Sequence, residues 1–252
     1  MAGAVLLEAC ADTLQSAVNA ELGGADRVEL CADLADAGTT PSHATLLLTL
    51  ERLHIPVFPV IRPRGGGFVY SDADIAVMRA DLRHARDLGA QGAVIGALTQ
   101  AGEIAADVVA TLREDAPDMQ LTFHRAFDVS TDASRSLETL IRLGINRVLT
   151  SGHRATAWEG RELLAGLLRQ AHGRITILAA GGITETNVAA LVGATGVAEV
   201  HVRGTSLERD AGPLHRLPFR KPLPVDESVR AVTDAGRIRS IRAAVNAENS
   251  SP

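Results

Sequence analysis

Apolar runs and amphipathic stretches alternate along this chain through one recurring junction. A segment of helical spacing ends at glycine, and a short apolar run follows within a few residues. The junction recurs at Leu22 to Leu30, Leu88 to Gly96, Leu143 to Ser151 and Val192 to Val202. Glycine just past a helix adopts the left-handed cap without a Cβ penalty. An apolar run after it reads as a parallel strand buried on both faces. The pattern places strands near 4–9, 26–31, 56–61, 92–96, 120–125, 146–151, 175–180 and 198–202. Between them the spacing suits a crossover helix each time. Ile75, Met78, Leu82 and Ala85 recur at helical spacing, and Ser71 with Asp74 forms a capping box before them. Thr184 reads as the N-cap of a later helix.

Eight βα units predict a single α/β domain, a (β/α)8 TIM-type barrel followed by a C-terminal loop and helix. An open doubly wound sheet is the alternative, because spacing alone does not prove closure. The barrel spans about 4–206. A loop rich in proline (Pro213, Pro218, Pro222, Pro224) spans 207–230, and a terminal helix spans about 234–247. Ile238, Ile241 and Val245 give that helix its apolar stripe, with Asp234 at its N-cap.

Composition changes this picture little. With 252 residues and 46% hydrophobic positions, the chain has material for one large core. Net charge −5 argues against a general nucleic-acid or anionic-membrane binder. Of 25 Lys and Arg, only Lys221 is lysine, and it lies in the proline-rich stretch. A lysine-linked cofactor or Schiff-base mechanism is therefore not expected. Two cysteines make no disulfide framework, no apolar stretch approaches a membrane span, and no signal peptide is read. The cytoplasm is the expected compartment.

The chemistry gathers where a barrel keeps it, at the C-terminal strand ends. Glu8 and Cys10 share one face of the first strand, and Glu29 and Cys31 one face of the second. Buried carboxylates call for cationic partners. Arg62, Arg64, His124 and Arg125 are available, with Asp128, Ser151, Gly152, His201 and Arg203 at later strand ends. Arg62 to Gly67 reads as a basic lid over an acidic ligand. Gly181-Gly182 before Thr184 reads as an anion-binding turn. A structural salt-bridge cluster at the barrel mouth is the plainer alternative. An active site would use Glu8 or Glu29 as base and His124 as acid, with Arg125 and Asp128 in the catalytic set. Arg62 and Arg125 would clamp a small anionic ligand.

Six motifs in order resemble the CutC copper-homeostasis family. They are Gly24-Ala-Asp-Arg-Val-Glu-Leu-Cys31, Thr40-Pro-Ser42, Ile61-Arg-Pro-Arg-Gly-Gly66, Phe68 with Tyr70-Ser-Asp72, Thr122-Phe-His-Arg-Ala-Phe-Asp128 and Arg147-Val-Leu-Thr-Ser-Gly152. The late Gly-Gly and Glu199-Val-His201 fit as well. The resemblance covers about residues 5–206 and implies a TIM-type barrel, a cytoplasmic homo-oligomer, and copper binding with copper tolerance. Soft thiolates suit Cu(I), so Cys10 and Cys31 are the metal candidates. Two functions stand at this point: copper homeostasis, or an enzyme (lyase, isomerase or hydrolase) acting on a small anionic or sugar-like metabolite.

Overall fold

In the computed structural model, which describes residues 4–209 and 228–248, the eight apolar runs are eight parallel strands. They are β1 (Leu6–Ala11), β2 (Arg27–Leu30), β3 (Val57–Pro59), β4 (Gly92–Ile95), β5 (Gln120–Phe123), β6 (Arg147–Thr150), β7 (Thr176–Ala180) and β8 (Glu199–Val202). Their order is β3-β2-β1-β8-β7-β6-β5-β4, so β1 lies beside β8. The remaining edges meet through a parallel bridge between Val60 and Val94, where Ile61 N–H donates to the Val94 carbonyl at 2.8 Å. The sheet is thus closed into a barrel, and the open-sheet alternative is excluded.

The helices between strands are α1 (Leu14–Leu22), α2 (His43–Arg52), α3 (Asp72–Asp87), α4 (Ala106–Asp115), α5 (Ala133–Arg142), α6 (Arg161–Ala171) and α7 (Val188–Thr195). Strand side chains alternate between the helical jacket and the barrel interior. Leu7, Ala9, Val28, Leu30, Ala93, Ile95, Val148 and Ile177 face the jacket and form the main apolar core with the helices. This core carries the hydrophobic stabilisation of the fold. The interior is different. It holds Glu8, Arg27, Glu29, Arg147, Glu199 and His201 beside the small apolar cluster of Cys10, Cys31, Phe58, Val60 and Val94. Among the described residues no helix is long and apolar enough to cross a membrane.

Two devices appear as the sequence predicts. Ser71 and Asp74 form a reciprocal capping box at the start of α3. Helix α8 (Ala235–Glu248) is capped by Asp234, whose Oδ1 accepts Gly236 and Arg237 N–H at 2.7 and 3.1 Å. It buries Ile238, Ile241 and Val245 and lies against α1 and α7, filling the gap in the helical ring.

Two expectations are corrected. Helix α7 begins at Val188 rather than directly after Thr184. The Thr184 and Thr186 hydroxyls bond to one another at 2.9 Å, while Asn187 Oδ1 accepts Thr184 N–H at 2.9 Å and its Nδ2 donates to the Gly182 carbonyl at 2.8 Å. Those bonds hold the segment as a turn. The ends of the expected loop 207–230 belong to an antiparallel hairpin, β9 (Thr205–Arg209) paired with β10 (Val229–Thr233). Prolines mark the middle of that stretch but not its flanks. Pro213, Pro218, Lys221, Pro222 and Pro224 lie outside the described residues.

Candidate functional site

A cavity of about 560 Å³ opens at the C-terminal ends of the strands. Register decides what reaches it. The β1–β2 pairing sets Cys10 beside Glu29, and the β1–β8 pairing sets Glu8 beside His201. Cys10, Glu29, Arg62, His124, Arg125, His201 and Arg203 line the cavity, as do Gly181 and Gly182.

Beneath the cavity runs a ladder of alternating charge. Arg147 Nε donates to Glu199 Oε2 at 2.9 Å, and Arg27 Nη2 donates to the same oxygen at 2.6 Å. Arg27 Nε also donates to Glu8 Oε2. Glu8 Oε1 lies 2.7 Å from His201 Nδ1. Both guanidinium groups stand over the Phe58 ring, at 5.0 and 5.6 Å, which stabilises cations desolvated by burial. Burial raises the Glu8 carboxyl, but the His201 hydrogen bond and the Arg27 charge outweigh it and hold the group at about 2. Burial lowers His201, but the Glu29 charge and its bonds to Cys10 and Glu8 outweigh it and hold the imidazolium well above its ordinary value. Burial pushes Glu29 up, and the nearby His201 charge does not cancel it.

At the top of the ladder the soft donors meet. Cys10 Sγ lies 3.9 Å from Cys31 Sγ, and Cys31 Sγ–H donates to the Ala11 carbonyl at 3.6 Å. Single donor atoms of Cys10, Glu29 and His201 fall within 4.8 Å of one another. The hydrogen bond to Cys31 and burial raise the Cys10 thiol well above its ordinary value. The Cys10 thiol is thus protonated at neutral pH.

Arg62 and His124 line the same cavity. Two inward positions of β4 and its extension are glycines, and rings occupy the space. A Cβ at Gly92 would stand 2.4 Å from Phe58, and one at Gly96 would stand 2.2 Å from the His124 ring. His124 Nδ1 accepts Ala126 N–H at 3.1 Å, so its proton is on Nε2. Burial, then the Arg62 charge, lowers this imidazole to about 3, so it is neutral. Arg62 is 4% exposed.

The remaining candidates divide. Asp128 is a hub rather than a free base: it accepts from Thr150 Oγ1, Ser151 Oγ, Arg125 Nε and the backbone N–H groups of Ser151 and His153. Arg125 reaches Asp128 at 2.7 Å and Ser151 Oγ at 2.7 Å. Ser151 and Gly152 lie behind the cavity wall, where Gly152 and Gly160 meet backbone to backbone. A Cβ at Gly152 would be 2.4 Å from the Gly160 carbonyl, and one at Gly160 would be 1.9 Å from the Ser151 carbonyl. Arg64 turns away from the cavity. It pairs with Asp74 at 3.1 Å and covers the Tyr70 ring, stapling its loop to α3. Gly181 and Gly182, at φ +102° and +66°, line the cavity beside exposed Arg203.

The profile of the CutC family matches residues 5–206. The chain belongs to the CutC family. It is 44% identical over 245 residues to a human copper homeostasis protein cutC homolog, covering 96% of this chain and 89% of that protein. It is 42% identical to a CutC family protein of Bacteroides thetaiotaomicron, covering 92% of this chain and 94% of that one. A crystal structure of CutC from Streptococcus agalactiae superposes with a TM-score of 0.75 at 34% identity, over 78% of this chain and 97% of that one. Phosphoribosylanthranilate isomerase of Pyrococcus furiosus, at 13% identity and a TM-score of 0.56, shares the barrel.

This CutC chain brings together most of the candidates read from its sequence. That reading missed Arg27, Arg147 and Phe58, which complete the ladder. The signal was available: Arg27 is two residues before Glu29 and Arg147 two before Leu149, so both share the inward face.

Proposed function

We propose that this chain takes Cu(I) as its cargo on Cys10 and Cys31, with His201 as a further donor. The observation that carries the reading is the pair of buried thiols 3.9 Å apart, of which Cys10 lines the cavity. Thiolates are the donors Cu(I) prefers, and the family name concerns copper homeostasis. Glu8 supports His201 as carboxylates support metal-binding imidazoles elsewhere. Its hydrogen bond to Nδ1 orients the ring and leaves Nε2 toward Glu29, at 3.7 Å. Because the Cys10 thiol is shifted up and His201 is held as imidazolium, binding must expel protons. Apparent affinity therefore falls as pH falls. Titration of Cu(I) against a strong chelator tests the reading. Cys10→Ser with Cys31→Ser should abolish chelator-resistant one-to-one binding, and unchanged binding in that variant overturns it. A cytoplasmic location and homo-oligomerisation accompany this reading.

A second reading is favoured by one observation. Glu8 and Glu29, buried in one site, shift in opposite directions. That is how an acid and a base are set apart in an enzyme. A lyase, isomerase or hydrolase acting on a small anionic metabolite would use Glu29 as proton donor beside His201. Depletion of one compound from a metabolite pool by the wild type, lost in Glu29→Gln, is the expected result. No depletion removes this reading.

A further inference from the structure

A guanidinium carries five N–H donors. In Arg62, Nη1 uses both of its donors, on the carbonyls of Asp36 and Gly38 at 2.6 and 2.7 Å. Nη2 uses one, on the Gly66 carbonyl at 2.8 Å. Nε–H has no acceptor among the described residues. Two donors are left, Nε–H and one on Nη2, and these atoms form one edge of the guanidinium. That edge is the fork that receives a carboxylate or phosphate side-on.

The charge is as unusual as the count. Among the described residues the groups that meet the Arg62 guanidinium are neutral, three carbonyls and the Tyr70 hydroxyl, although Arg62 is 4% exposed. A cation so desolvated ordinarily has an anionic partner. A second unmet donor lies close by. His124 is 8% exposed, and its Nε2 likewise lacks an acceptor among the described residues. Both groups pack on Phe68, which lies 5.4 Å from the Arg62 guanidinium carbon and 4.9 Å from the His124 ring. All three residues line the same cavity. A buried donor without an acceptor is costly, and two beside one cavity mark the place of a missing acceptor.

We infer that the cavity binds a small organic anion whose carboxylate or phosphate head sits on Arg62 and accepts from His124. The acceptor and the counter-ion are then one group. The head is distinct from the copper donors at Cys10 and Cys31. It gives the enzymatic reading its ligand class and rests on that reading only for turnover. The test is therefore of binding, so failure here and failure of turnover are separate results.

The probes are malonate and inorganic phosphate, titrated by calorimetry into the full chain. The expected result is saturable one-to-one binding of one of them, and the tighter probe names the head. Arg62→Gln should weaken that binding at least about tenfold, as loss of charge-assisted hydrogen bonds implies. Arg62→Lys should also weaken it, because an ammonium keeps the charge and loses the fork. An unchanged circular dichroism spectrum and cooperative urea transition in each variant show that the barrel is intact. In the wild type, the His124 Nε2–H resonance should shift as the tighter probe saturates, a readout that needs no variant. Absence of binding by both probes, equal binding in Arg62→Gln, or an unmoved His124 resonance overturns the inference.

Discussion

Arg27 and Arg62 are buried alike, at 3% and 4% exposure, in one barrel. Their surroundings are opposite. Arg27 lies between the carboxylates of Glu8 and Glu199, closed beneath the cavity. Arg62 lines the cavity, and its side-chain hydrogen bonds end on the three loop carbonyls of Asp36, Gly38 and Gly66. Desolvation costs both dearly. Among the described residues only the first cost is offset by charge. Burial of a charge therefore does not tell the two apart; donors left without an acceptor do. Asp128 makes the same point from the acidic side. Its side chain is 7% exposed, with its oxygens already engaged by Arg125, Thr150 and Ser151.

The largest expected effect breaks the balanced member. Arg27→Met leaves Glu8 and Glu199 without their shared cation, and breaking a buried pair costs about 3–5 kcal/mol. Urea denaturation should show that loss, and a stability equal to wild type would erase the contrast. Asp128→Asn comes next. Loss of hydrogen bonds to a charged group costs about 1.5–3 kcal/mol, while Cu(I) affinity should stay unchanged. A matching loss of metal binding would make Asp128 part of the site rather than a staple of its wall.

Acid and alkali act on the ladder from opposite sides. The Glu8 carboxyl is lowered from 4.5 to about 2, so its stabilisation is present above 4.5 and is lost as pH falls through 2. The His201 imidazolium is raised above 6.5, so its stabilisation is present below 6.5 and is lost as pH rises through the raised value. The pair contributes most between 4.5 and 6.5. Denaturation midpoints of wild type and Glu8→Gln across pH should differ most there, and a constant difference would refute the linkage. The smallest effect belongs to Arg62→Gln. It removes charge-assisted hydrogen bonds to three carbonyls, about 1.5–3 kcal/mol apiece, and with them a charge that no described residue balances. The two offset, so net stability should change less than in Arg27→Met or Asp128→Asn. A loss as large as that of Arg27→Met would show that Arg62 is a staple too.

The barrel was legible because buried parallel strands and glycine-capped helices leave strong marks in sequence. Alternation placed Glu8 with Cys10 and Glu29 with Cys31, and the structure keeps both pairs on inward faces. The fate of the arginines was not legible. Arg62 and Arg64 are two residues apart in one loop, yet one lines the cavity and the other pairs with Asp74 on α3. Outside a regular strand no periodicity tells two such side chains apart. Asp128 carried no mark of saturation, because its partners on Thr150, Ser151 and His153 come from another strand end. The hairpin strands β9 and β10 were hidden by the prolines between them, which signal loop across the whole interval.

The backbone contact between Gly152 and Gly160 bears on how variation in this chain will be read. With the Ser151 carbonyl 1.9 Å from where a Cβ at Gly160 would stand, no side chain fits without moving the loop. In a saturation-mutagenesis map both glycines will stand out as intolerant, although neither lines the cavity. Arg62, which lines it, will be tolerant in any screen that selects only for expression. A map of fitness under folding selection and one under ligand selection will therefore light up different halves of this barrel mouth.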